Sequence, residues 1–242
     1  MATFESTSPP EQQRLLLRFG AVAAIVGTAF QVAAGSSQTA QLEGTADVAL
    51  SSLAELPDWA WPLIYFGFMF GAVLWVLAIV VLNSTLHTGT APAWGRLAVA
   101  AVIVGAAAHV VDASLNAGPL TDLAHDWTGA DEAGRALLSQ HADLLLRVLD
   151  GTWAGVITLF HGVPFLLAGW AVVKESDHPS WLGWFGILGG AGSVVIGILM
   201  FLGIVGSGPA VPFAVVLSIF MVVIGARLWA RADRARMVAA PS

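Results

Sequence analysis

Two stretches of the chain carry side chains that could do chemistry. In "AAAHVVDASLNAG", residues 106–118, His109, Asp112 and Asn116 are spaced three and four apart, so on a helix they share one face. In "DLLLRVLDGTWAGVITLFHG", residues 143–162, Asp143, Arg147, Asp150, Ala154, Thr158 and His161 recur at intervals of 4, 3, 4, 4 and 3. At about 100° per residue these six fall within a sector of about 80°. Imidazoles beside a carboxylate can hold a proton or orient a small polar ligand. Two histidines and one aspartate also make the ligand set of a facial triad for a single metal ion. His109 and His161 alone could ligate a b-type haem from two helices.

These groups must be positioned by membrane spans. Of 242 residues, 57% are hydrophobic and 11% charged, against about 25% charged in a soluble domain. Mean hydropathy is +0.79. The expected fold class is all-α, a polytopic membrane helix bundle, with residues 1–242 as one integral membrane domain. A hydrocarbon core of about 30 Å needs roughly 20 apolar residues of helix. Six segments meet that length, at about 15–35, 60–82, 96–117, 144–172, 181–205 and 211–230. The net charge of −6 excludes the basic face that nucleic acid requires. The absence of cysteine excludes disulfides and thiolate metal sites.

Basic residues orient the spans. With six crossings, Arg14, Arg18, Arg96, Lys174, Arg227, Arg231, Arg234 and Arg236 fall on one side, which places both termini in the cytoplasm of a multi-pass plasma-membrane protein. The opposite loops are acidic, with Glu43, Asp47, Glu55 and Asp58 in one and Asp122, Asp126, Asp131 and Glu132 in the other. Trp59, Trp61, Trp127 and Trp153 fit the outer interface, and Trp94, Trp170, Trp181, Trp184 and Trp229 the inner one. A rival reading takes "FQVAAGSS" as a signal-peptide cleavage site. The apolar run before it is long for that purpose and contains Gln31, which favours a retained first span.

Depth follows from the same basic anchors. His161 lies thirteen residues before Lys174, and His109 thirteen after Arg96. Both therefore sit roughly 20 Å from the basic side. Gln31, thirteen residues past Arg18, shares that level. Asp112 is one turn further out and level with Thr158. An aspartate in mid-membrane costs about 2.5–3.5 kcal/mol on insertion scales, so it needs a partner, and His109 is the expected one. Asp143, Arg147 and Asp150 emerge at the outer interface as a charged vestibule, with Arg147 in reach of both acids.

The turn "HPSWLGWFGILGGAGSVVIG" resembles a bacterial family of multi-span membrane proteins known only as a domain of unknown function, in which a Pro-x-Trp-Leu-Gly turn precedes a Gly-rich helix. The resemblance covers mainly residues 179–196. It implies a fold type and no activity.

Three functions fit these residues. The first is a buried site for a small ligand, an ion or protons, centred on His109, Asp112 and His161, walled by Gln31, Asn116 and Thr158, and open to the outer face. The second is a haem or single-metal centre of a membrane oxidoreductase subunit. The third is a structural or regulatory subunit that packs with another membrane protein or a second copy through Gly189, Ser193 and Gly197, a small-residue seam. The histidines at 125, 141 and 178 read as isolated loop residues. No HExxH, GxSxG or P-loop pattern marks an enzyme.

Overall fold

In lipid a backbone must satisfy its hydrogen bonds within itself, and long apolar runs therefore become helices. The computed structural model describes residues 10–38 and 45–239, and among these there is helix and no strand. The helices are α1 (Pro10–Gln38), α2 (Ala46–Ala54), α3 (Ala60–Asn83), α4 (Ala91–Ala117), α5 (Pro119–Gly129), α6 (Glu132–Val156), α7 (Val163–Lys174), α8 (Ser180–Phe201) and α9 (Val211–Ala239). A π-helical turn, Ile157–Gly162, joins α6 to α7 without a break. Six helices are long and apolar enough to cross a membrane, and the protein is a multi-pass membrane protein. Glu43 lies outside the described residues, as does the side chain of Arg236.

Several boundaries differ from the sequence reading. The fifth span stops at Phe201, not 205, because Gly203 turns left-handed at φ 68°. The amides of Gly203 and Ile204 return to the carbonyls of Met200 and Leu199, which closes the helix end. The loop at 36–58 contains α2, and the acidic loop after the third span is α5. The fourth helix begins at Glu132, capped by the Asp131 carboxylate, which accepts from the Gly134 amide at 2.8 Å. It runs 43 residues to Lys174, roughly 64 Å at 1.5 Å per residue. That is twice the hydrocarbon thickness, so about half of this helix stands outside the lipid core.

The six long helices pack in chain order around a ring: α1 on α3, α3 on α4, α4 on α7, α7 on α8, α8 on α9, and α9 back on α1. Trp75, Phe160, Phe165, Phe220 and Met221 fill its middle and basic end. A second apolar cluster, with Leu50, Trp61, Tyr65, Leu120 and Leu149, ties α2 and α5 to the acidic end. At the basic end Arg18 pairs with Asp233 at 2.9 Å, joining the two ends of the described chain.

The small-residue seam is used inside this ring. Gly189, Ser193 and Gly197 are all buried. A Cβ on Gly189 would meet the Leu217 side chain of α9, and one on Gly197 would lie 2.9 Å from the Ala154 carbonyl. The expected surface for a partner helix or second copy is therefore occupied by the chain itself.

Candidate functional site

His109 rises from α4 and His161 from the π turn, and their rings meet. Their centroids are 6.1 Å apart and nearly perpendicular at 86°. Pro164 accounts for the turn. It has no amide to donate to the Phe160 carbonyl, and its ring crowds that carbonyl. The Val163 amide reaches back instead to Thr158, a π-type bond. In a straight helix residue 160, seven after Trp153, would share the Trp153 face. The wide turn absorbs one extra residue and brings His161 there, so Trp153 lies 6.1 Å from His109 and 6.3 Å from His161. Phe160 stacks on His109 at 5.1 Å, Phe68 meets it edge-on at 5.6 Å, and Trp75 meets His161 at 5.9 Å. His109 is 1% and His161 6% exposed. Both ring nitrogens of His109 are buried and have no hydrogen-bond partner among the described residues, whereas the buried His161 ring has the Val156 carbonyl within reach.

Asp112 does not pair with His109. Its Oδ1 accepts from the Thr152 hydroxyl of α6 at 2.6 Å, and its Oδ2 lies 3.5 Å from the Asn116 amide. Asn116 also donates to the Asp112 carbonyl at 3.0 Å and accepts from the Tyr65 hydroxyl at 3.0 Å. The Trp61 indole donates to the Asn116 carbonyl at 3.1 Å. Thr152, Tyr65 and Trp61 escaped the sequence reading, since nothing in their spacing points at α4. Thr152 has one proton and a second acceptor, the Leu149 carbonyl at 3.0 Å, so its bond to Asp112 excludes that one. We expect Thr152→Val to lower stability by about 1.5–3 kcal/mol, because it strips a buried carboxylate of a donor. Asp112→Asn keeps an acceptor for Thr152 and removes the charge, and is expected to be neutral or stabilising. Thermal unfolding in detergent checks both. An unchanged midpoint in Thr152→Val would show that the bond is absent.

The other expected members stand apart. Gln31 is buried, and its amide donates to the Phe68 carbonyl of α3 at 3.0 Å, one layer behind the ring that touches His109. Thr158 bonds the Ala154 carbonyl at 3.0 Å and faces Gly197 of α8. Arg147 pairs with Asp143 at 2.9 Å, both exposed, and Asp150 is exposed without joining them. Thr152 lies nine residues, two and a half turns, beyond Asp143. The acids of the stripe therefore point away from the face that meets Asp112. Trp61 and Trp153 turn inward, not to the interface.

Among the described residues no three His, Asp or Glu side chains group as a metal site. With Asp112 turned to Thr152, the triad of His109, Asp112 and His161 is not assembled. Phe160 and Trp153 pack against both histidine rings.

The profile of a family described as a domain of unknown function, DUF4386, matches residues 15–229. The chain belongs to the DUF4386 family. No curated protein and no solved structure matches it.

The DUF4386 match extends far beyond the turn at 179–196 and takes in a second polar group at the basic end. Glu175, 3% exposed, accepts from the amides of His87 at 2.5 Å and Thr88 at 3.1 Å and from the Thr88 hydroxyl at 3.0 Å. His178, 5% exposed, shares a hydrogen bond with the Thr85 hydroxyl at 3.3 Å. Arg227 and Arg231 donate to the Asp177 carbonyl, each at 3.3 Å. These contacts knot the loops after α3 and α7 to α9. His178 is therefore not an isolated loop histidine.

Proposed function

We propose that this DUF4386 protein is a single-domain, multi-pass plasma-membrane protein, with its basic end cytoplasmic, that holds a small cation, a proton included, between His109 and His161. The observation that carries the reading is the pair itself: two rings in contact, with both ring nitrogens of His109 buried and without partners among the described residues. A buried polar atom without a partner costs about 1–3 kcal/mol and calls for an occupant or a chemical role. The rings of Trp75, Trp153, Phe68 and Phe160 surround the pair, and an aromatic ring attracts a cation placed over its face. No carboxylate lies in this cage, since Asp112 is engaged by Thr152 and Asn116, which favours a single positive charge over two.

The test is nitrogen-15 NMR of histidine-labelled protein in detergent, with His109→Gln and His161→Gln to assign the two rings. Silver ion is added as a redox-stable monovalent probe, and separately the pH is lowered from about 8 to about 5. We expect the ring nitrogens of both histidines to shift together with one of these additions, and each single variant to abolish the response of the other. Rings that keep the signature of free neutral imidazole throughout would overturn the reading and leave the histidines as packing groups.

A further inference from the structure

We propose that the cleft between α2 and α5 is the outer mouth of the buried site, and that Trp61 is the plug separating its water from the Asn116–Asp112 chain. The proposal deepens the reading above and rests on it for the destination.

The cleft has a volume of about 60 Å³ and is lined by Leu53, Pro57, Asp58, Trp61, Thr121 and His125, among others. That is room for about four waters. Asp58 and His125 are exposed at its rim, whereas Trp61 is 2% exposed. The indole therefore forms the inner wall. Behind it the polar chain begins at once, with the Trp61 N–H on the Asn116 carbonyl at 3.1 Å and the Asn116 amide 3.5 Å from Asp112 Oδ2. Asp112 lies one turn from His109 on the same helix face. One side chain thus stands between water and the first buried polar group.

Elsewhere among the described residues, apolar side chains close both ends of the bundle. Leu50, Leu120, Ala142 and Leu149 seal the acidic end around the cleft. Towards the basic end, Trp75, Phe165, Phe220 and Met221 form a continuous apolar plug. The field also favours this mouth. The described acidic end carries Asp47, Glu55, Asp58, Asp122, Asp126, Asp131, Glu132, Asp143 and Asp150 against Arg135 and Arg147. Such an excess raises the local concentration of small cations. A bulky or anionic ligand fits neither the volume nor the charge.

The chain has no cysteine, so single-cysteine variants report cleanly. Thr121→Cys marks the cleft and Asn116→Cys the space behind the plug. Reconstituted protein is labelled from the acidic side with a membrane-impermeant, cationic methanethiosulfonate reagent. Thr121→Cys is expected to react at the same rate whether residue 61 is Trp or Ala. Asn116→Cys is expected to react at least about tenfold faster with Trp61→Ala than with Trp61. Trp61→Phe, which keeps most of the packing, is expected to lie between, and it decides the question if Trp61→Ala does not fold. The proposal is overturned if Asn116→Cys is indifferent to residue 61, or reacts only from the basic side. These rates involve no bound ligand. An empty histidine pair with plug-dependent labelling would sink the reading of the pair alone, and a filled pair with indifferent labelling would sink the route alone.

Discussion

Gly169→Ala is expected to destabilise the protein by about 3 kcal/mol or more, while the same substitution at Gly151 is expected to be neutral or to stabilise it by up to about 1 kcal/mol. The difference lies in what each new methyl would meet. A Cβ on Gly169 would sit 2.5 Å from the Gly183 carbonyl oxygen and the Ile187 amide nitrogen, and 2.8 Å from the Gly186 carbonyl carbon. Gly183 faces the mirror situation, with the Gly169 oxygen at 2.5 Å and the Val173 nitrogen at 2.7 Å. These are backbone atoms and cannot rotate aside, so α7 and α8 would have to separate. The separation would reach the π turn, where a Cβ on Gly190 would lie 2.7 Å from the Gly162 carbonyl, one residue from His161. Gly151 has nothing within 4 Å, so its methyl meets only open space and improves helix propensity. For a chain of this size each kcal/mol moves the unfolding midpoint by about 2–4 °C. Thermal unfolding in detergent should therefore separate the two variants by about 6–12 °C. Equal midpoints would mean that α7 and α8 do not touch along this line.

The spans were legible because hydrophobic length is a direct requirement of the bilayer. The shared level of His109 and His161 was legible for a related reason: each is thirteen residues from a basic anchor, and helix rise converts that count into depth. Facing was another matter. A period of 3.6 residues held from 143 to 161 puts Asp143, Arg147, Asp150, Thr158 and His161 on one stripe. Pro164 forces a wide turn inside the span, which regroups His161 with Trp153 and leaves Thr158 against Gly197. Asp112 shows a different limit. Spacing within its own helix pointed to His109, whereas the carboxylate turns to Thr152 on another helix, and only the way α4 meets α6 selects it. The seam of Gly189, Ser193 and Gly197 was legible as a close-packing surface. Whether a foreign helix or the chain's own α7 and α9 would use it depends on the closure of the ring, which no local pattern records. Trp61 and Trp153 fit interfacial positions by count along the helix, yet each has a ring that completes a buried polar or aromatic group, and packing there outweighs the preference for the interface.

Acid is expected to loosen the basic end in two steps, through Glu175 and His178. Burial opposes the charge on Glu175, but the amides of His87, Thr88 and Asp177 and the Thr88 hydroxyl outweigh it and hold the carboxyl down from 4.5 to about 2. Burial, together with the neighbouring Arg231 and Arg227, pushes His178 from 6.5 down to about 4, against the opposing pull of Glu175 and Asp177. In both cases the unfolded chain binds the proton more readily than the folded one, so stability falls as the pH falls. His178 acts first, between about 6.5 and about 4, because the folded protein must keep it neutral beside two guanidinium groups. Glu175 follows between about 4.5 and about 2, as its carboxylate is lost to the four donors it accepts from. Screening at a loop leaves the Glu175 contribution at about 2 kcal/mol at neutral pH. Glu175→Gln should flatten the lower step and leave the upper one. Glu175→Ala should lower the neutral-pH midpoint by about 5–10 °C, because the His87 and Thr88 amides then lose their acceptor. His178→Asn should remove the upper step alone. The measurement is the unfolding midpoint of each variant across that pH range in detergent. A wild-type midpoint that stays flat from 6.5 to 2, or a Glu175→Gln curve that overlays it, would show that the Glu175 carboxylate does not hold the two loops together.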